Sequence, residues 1–297
     1  MPPDFLPIDP DPIDPVPVDS SPISFAPIAH TQESSRHTFQ VQSQDKEAHL
    51  VLIANEAIAG KLLALISLQC DGEYAHKLLL HLAGYLHQHP ILGKLEWMIQ
   101  ISPRVEAFHA AMIEAGWQRS TVKLLYRKTL DQIPSAGAEE LELRMVPATE
   151  MAPHAFADLF HACNLGNPDE PHLHLESPQG YLRRWTTELA DLHVPELAYA
   201  VTQYSQAIGV ILFRISRTPT HVIGFINFIG IHPTHRNRGL GTLLHRIAIR
   251  HLSTLGCTHY IGSTPEANHP MRQVFHHNAV PEFGKQVFLR ATAHCPH

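Results

Sequence analysis

Apolar positions along this chain fall into two successive series of strand-length runs and helical stripes. In the first, "TFQVQS" (38–43) alternates polar and apolar residues, and "AHLVLIAN" (48–55) and "KLLALISLQ" (61–69) are apolar runs of strand length. "YAHKLLLHLAGYLHQH" (74–89) has helical spacing. "KLEWMIQIS" (94–102) predicts a strand, "RVEAFHAAMIEAGW" (104–117) a helix closed near Gly116, and "STVKLLYRKTL" (120–130) a further strand. The second series predicts a strand at 141–148, helices within 152–163 and 178–191, and strands at 196–204, 207–216 and 221–231. A helix at 239–254, a strand at 258–264, a helix at 269–279 and a closing strand at 285–292 complete it.

The same strand, helix, strand, helix, strand ending therefore occurs in 61–130 and again in 221–292, which a tandem duplication explains. "DQIPSAGAEE" (131–140) is short, small and polar, as a linker is. Residues 1–36 carry a proline every two or three positions, which excludes helix and central strand and predicts an extended or disordered arm. Phe5, Ile8, Ile13, Ile23 and Phe25 could anchor that arm as a docking peptide or strap. The expected division is an arm at 1–36, a first domain at 37–132, a linker at 133–140 and a second domain at 141–297.

Charge and composition narrow the functional classes. The 22 Lys and Arg against 28 Asp and Glu give a net charge of −6, with no basic run dense enough to track a phosphate backbone, so nucleic acid is not an expected partner. No apolar stretch reaches 18 residues and the N-terminus lacks the pattern of a signal peptide; a soluble, cytoplasmic protein is expected, without a membrane partner. The four cysteines form no CxxC pair, so neither a disulfide framework nor a cysteine zinc site is indicated. His172 and His174, close behind Asp169 and Glu170, suggest a metal site. The other histidines of the 24 are spread over every segment and no closed ligand set emerges, so no metal is expected.

One stretch carries stronger chemistry. "IHPTHRNRGLGTLLHRIAIRHL" (231–252) runs from a strand end through Arg236, Arg238, Gly239 and Gly241 into a helix. A helix N-terminus exposes unpaired N–H groups and the positive end of a dipole, and glycines there let backbone approach an anion. The corresponding place in the first series, "QCDGEYAHK" (69–77), has one glycine and an acidic flank; only the second is built for an anion. The spacing is neither a Rossmann fingerprint nor a P-loop.

Arg-x-x-Gly-x-Gly after Ile231 and Pro233, followed by a helix, a strand, Asn268, Pro270 and Met271 and another helix, resembles the GCN5-related N-acetyltransferase (GNAT) family. The likeness covers about 141–292 well and reaches 38–130 through element order. It implies an α/β fold of two tandem GNAT-like domains, each a mostly antiparallel twisted sheet flanked by helices, the first copy degenerate. It implies acetyl-CoA as cofactor, with Arg236, Asn237, Arg238, Gly239, Leu240, Gly241 and Thr242 as pyrophosphate loop. By the same resemblance Ile229, Gly230 and Ile231 supply strand backbone to the pantetheine arm, and Asn268, Met271 and Phe275 also lie against the cofactor.

The implied activity is transfer of an acyl group to an amine in a ternary complex. The family's usual strand carboxylate and helical tyrosine are missing here: Asn227 stands at the first place, Val274 and Phe275 at the second. Replacement acids and bases are sought in Glu196, Tyr199, His232, His276 or His277, with Asn227 ordering a water. The acceptor is expected at 164–185, where Asp169, Glu170 and Glu176 favour a cationic amine. Loss of the usual groups leaves open an inactive acyl-CoA-binding module.

Overall fold

The computed structural model describes residues 25–44, 48–58, 62–72, 74–131, 137, 142–167, 173–188 and 197–291. The chain forms two compact units, one of residues up to Leu124 together with those from Gly284 on, the other Leu125–Phe283. Each is a mixed α/β unit built on a mostly antiparallel sheet.

The first unit strings β1 (Ala29–Glu33), β2 (Arg36–Gln42), β3 (His49–Ile58), β4 (Leu62–Asp71) and β5 (Glu96–Ile101), with helices α1 (Ala75–Gln88) and α2 (Pro103–Glu114). β1 to β4 pair antiparallel in sequence order, and β4 pairs parallel with β5 over Leu62–Ala64 and Glu96–Met98. Trp97, Trp117, Phe39, Phe108 and the leucines of α1 fill the core. Both buried indoles find carbonyls, Trp117 Nε1 donating to Ala83 O at 3.2 Å and Trp97 Nε1 to Leu92 O at 3.3 Å. The hairpin of β1 and β2 takes up residues 29–42, so the expected arm ends earlier than residue 36: Pro27 is the last proline before the hairpin, and the residues after it are free to pair; residues 1–24, including Phe5, Ile8, Ile13 and Ile23, lie outside the described residues.

In the second unit the order is β7 (Leu143–Pro147), α3 (Pro153–Asn164), α4 (Pro178–Glu188), β8 (Ala198–Gln203), β9 (Gln206–Arg217), β10 (Val222–Ile231), α5 (Leu240–Thr254), β11 (His259–Pro265) and α6 (His269–His277). β7, β8, β9 and β10 form an antiparallel meander, and β10 pairs parallel with β11. α3 and α4 cover one face through Phe156, Phe160, Tyr181, Val210 and Leu212. On the opposite face Gly209 lies against Leu244 and Gly224 against Leu252, both of α5.

The compact units do not follow the linear division at 133–140. The chain's last strand, β12 (Glu282–Ala291), pairs antiparallel with β5 over Lys285–Leu289 and so completes the first sheet. The long strand β6 (Trp117–Thr129), encoded before the linker, neighbours β12 and β11, and its residues from Leu125 on belong to the second unit. An edge strand accepts any partner of matching apolar pattern, so sequence adjacency does not decide which sheet a closing strand enters.

Candidate functional site

β10 and β11 are paired only at Ile223 with His259, Gly224 with Tyr260 and Phe225 with Ile261. Beyond Phe225 the register of β10 against β9 shifts between Ile226 and Phe228, a bulge that contains Asn227. A bulge bends its strand, and β10 continues to Ile231 bonded to β9 alone. The two parallel strands thus part into a wedge. One side of that wedge is the edge of β10 at Ile229 and Gly230, beyond its pairing with β11, whose backbone groups suit an extended ligand as an added strand would.

At the end of this edge stands the glycine-bearing loop. His232 opens a 3-10 turn over Pro233–His235, and α5 begins at Leu240. Asn237 has φ 61° and Gly239 φ 75°, while Arg238 between them does not have positive φ. Alternation of this kind turns successive N–H groups into one concavity, the geometry that takes up anions. No side chain caps α5 and no acidic residue occupies its first turn, so its first N–H groups and dipole stay available. A Cβ at Gly239 would meet nothing within 4 Å, and one at Gly241 only Val274 Cγ2 at 3.6 Å. The space in front of the helix end is therefore clear of the protein itself.

The two loop arginines differ. Arg236 Nε donates to Ile231 O at 3.0 Å and Nη2 to Cys163 O at 3.0 Å, where α3 ends. Its cation satisfies strand-end and helix C-terminal carbonyls, so it holds the loop against α3 rather than adding free charge at the rim. Arg238 is exposed and donates through Nη2 to Thr234 O at 3.2 Å, leaving most of its donors at the mouth.

Under the loop lies a buried polar network. Asn278 Nδ2 donates to Thr242 O at 3.0 Å and to His245 Nδ1 at 2.9 Å, and Asn278 Oδ1 accepts from Arg246 Nε at 3.3 Å. His245 Nδ1 therefore accepts, and its Nε2–H donates to the Tyr260 hydroxyl at 2.9 Å. Burial, assisted by the nearby Lys128 charge, pushes the His245 pKa down to about 3. Lys128 Nζ also donates to Asn278 O at 2.9 Å. The network ties the first turn of α5 to the end of α6. His245, Tyr260 and Asn278 were not singled out from sequence, although His245 interrupts the apolar stripe of Leu240, Leu244, Ile247 and Ala248 and was the available signal.

The other sequence candidates are dispersed. Asn268 caps α6, its Oδ1 accepting from Met271 N at 3.1 Å, so its carbonyl is committed within the protein. Phe275 is 1 % exposed and stacked on Tyr126 with centroids 3.9 Å apart. It fills the core, and the expected contact with cofactor is not available to it. Tyr199 packs edge-on against Phe213 and His251 of α5. His232 Nδ1 bonds Thr234 Oγ1 at 2.8 Å and lies five residues from Asn227, about 16 Å along a strand. His276 lies on a polar pocket with Tyr126, Arg272 and Glu282.

Glu196, Asp169, Glu170 and His172 lie outside the described residues. His174 lies in a 3-10 turn, Leu173–Leu175, and no group of three or more His, Cys, Asp or Glu among the described residues is placed to hold a metal. Glu176 is held by Arg184, Oε2 to Nη2 3.1 Å.

The profile of the acetyltransferase (GNAT) family matches residues 154–278. The chain carries a GNAT acetyltransferase domain. The match spans the wedge, the loop and α6, all in the second unit. Among solved structures, a GNAT-family acetyltransferase from Colwellia psychrerythraea is 11 % identical with a TM-score of 0.50, over 86 % of each chain. A GCN5-related glucosamine N-acetyltransferase region in a fungal multi-domain GH3 beta-N-acetylglucosaminidase is 11 % identical with a TM-score of 0.55. That alignment covers 91 % of this chain and 38 % of the other. At such identities the likeness is one of fold. A tandem GNAT protein from the clavulanic acid biosynthesis pathway is 16 % identical, with a TM-score of 0.48 over 86 % of this chain and 82 % of that one. No curated protein matches the chain. No helix among the described residues is long and apolar enough to cross a membrane.

Proposed function

We propose that the GNAT domain is an acyl-CoA-dependent N-acyltransferase, with acetyl-CoA as donor and an amine as acceptor. The observation that carries this reading is the parting of β10 from β11 directly before a loop of alternating φ and an uncapped helix N-terminus. An anion-binding concavity and a free strand edge, end to end, suit a ligand with a pyrophosphate at one end and an amide-bearing arm at the other. Backbone N–H groups at Gly239, Leu240 and Gly241, with the Arg238 guanidinium, would hold the pyrophosphate, and Ile229–Ile231 would pair with the arm.

Bound acetyl-CoA supplies a thioester carbonyl that a neutral amine attacks, the C–N bond forming as C–S breaks and the amine proton passing to the released thiolate. Asn227 sits at the bulge where the arm would end, and its amide makes no hydrogen bond among the described residues. In this reading its Nδ2–H would donate to the developing oxyanion or order the water that carries the proton. Arg236 and the His245 network keep the loop and α5 in register, so the concavity exists before ligand arrives.

Calorimetric titration with acetyl-CoA, CoA and phosphate-free pantetheine tests the reading. Binding of the first two and not the third is expected. Absence of acetyl-CoA binding would overturn it, and binding without turnover over an amine panel at high pH would leave a ligand-binding module.

A further inference from the structure

The face of the wedge that α3 and α4 cover carries a cation that the proposed reaction does not use. Val210, Leu212 and Arg214 alternate along β9, and the first two are buried with Phe160 and Tyr181 under α3 and α4. Period-two alternation puts Arg214 on that same face, at the point where continuous burial of the strand ends. Its guanidinium carbon lies 3.9 Å from the centroid of the Phe225 ring, and Phe225 is its cross-strand partner. Phe225 is also the last residue of β10 that pairs with β11. A planar cation is thus seated over an aromatic ring at the vertex of the wedge.

No carboxylate among the described residues forms an ion pair with Arg214, and Glu176, which sequence reading had counted toward a cationic acceptor, is already neutralised by Arg184. Burial works against the guanidinium charge and lowers its pKa, while the aromatic face offsets only part of that cost. The planar fork of N–H donors on a guanidinium matches a carboxylate or phosphate. Asn227 is two residues from Phe225, about 7 Å along the strand.

We propose that the acceptor is a small amine that also carries an anionic group, its amine at the Asn227 bulge and its anion on Arg214 over Phe225. The proposal rests on the acyltransferase reading and names its substrate class. A carboxylate and a phosphoester present the same oxygens to Arg214, and the acceptor panel separates them.

The test compares an α-amino acid, its carboxamide, an amino-alcohol phosphate and a linear polyamine, in wild type and in Arg214→Gln, with acetyl-CoA Kd measured in both. The amino acid or the amino-alcohol phosphate is expected to exceed the carboxamide and the polyamine by about tenfold or more in kcat/KM. Arg214→Gln should remove that preference through KM and leave acetyl-CoA affinity and the rate with carboxamide unchanged. Arg214→Lys should restore part of it, because the charge returns without the fork. Binding of the same probes to the CoA-saturated protein gives a readout independent of turnover. Equal use of acid and carboxamide, or preference for the polyamine, overturns the proposal while the acyltransferase reading stands. Failure of acetyl-CoA to bind removes both.

Discussion

Gly241 is the position where the needs of the fold and those of the ligand can be set against each other. It is the second residue of α5, and a Cβ there would touch only Val274 Cγ2 at 3.6 Å, an ordinary contact. Gly241→Ala should therefore stabilise the free protein, by about 0.4–1 kcal/mol through loss of unfolded-chain freedom. That corresponds to a rise in Tm of about 1–4 °C for a unit of this size. Gly241→Glu adds a carboxylate to the first turn of an uncapped helix, worth a further 0.3–1 kcal/mol or so through the dipole.

For a pyrophosphate in the same place both changes act in the opposite direction. The alanine methyl holds the anion off the backbone. The glutamate adds a repulsion on the order of 4 kcal/mol for unit charges 4 Å apart near a protein surface. Solvent and salt screen part of it, and a loss of at least about tenfold in acetyl-CoA Kd is expected. Thermal unfolding of the free variants beside calorimetric titration measures both signs. Unchanged acetyl-CoA affinity in Gly241→Glu would refute the reasoning, and so would a binding loss matched by a fall in Tm.

Removing the Arg236 guanidinium in Arg236→Ala leaves the Ile231 and Cys163 carbonyls without their donor, and a destabilisation of about 1–3 kcal/mol in denaturant unfolding is expected, together with weaker acetyl-CoA binding. His245 is held neutral when folded, with its pKa down at about 3, whereas in the unfolded chain it takes a proton below about 6.5. The unfolded state thus binds more protons between those values, and stability should fall as pH drops through that window, by up to about 1.4 kcal/mol per pH unit from this group. His245→Leu should flatten that dependence while lowering stability at pH 7, where Tyr260 and Asn278 lose their partner; an unchanged slope would dissociate the histidine from it. With Tyr199 packed on His251 and His232 bonded to Thr234, the amine itself is expected to set the pH dependence: kcat/KM should rise with pH along the acceptor amine's own titration, and His232→Ala should stay within about twofold of wild type. A limb that stays fixed while the amine pKa is varied would point to a base on the protein.

Local pattern alone carried most of the elements to within a few residues. The apolar stripe of Leu240, Leu244, Ile247 and Ala248 makes α5 amphipathic, Gly239 starts it in the left-handed region, and Pro270 and Asn268 start α6, whatever the rest of the chain does. The glycine-bearing loop was legible for the same reason, since glycine spacing and helix start are properties of ten consecutive residues. Side-chain roles were not. Arg236 and Arg238 read alike in sequence, and only the arrival of the α3 carboxyl end at Cys163 makes one a tether and leaves the other at the rim.

The exchange of closing strands was out of reach as well, because β6 and β12 have patterns that fit either sheet and the choice depends on which edge each meets. Period-two and period-3.6 spacing, turn glycines and caps are decided by neighbours in the chain, so the sequence by itself determined the elements and the loop. Partners distant in the chain decide desolvation and hydrogen bonding. Only the tertiary structure could therefore bury Phe275, seat Arg214 on Phe225 and part β10 from β11 at Asn227.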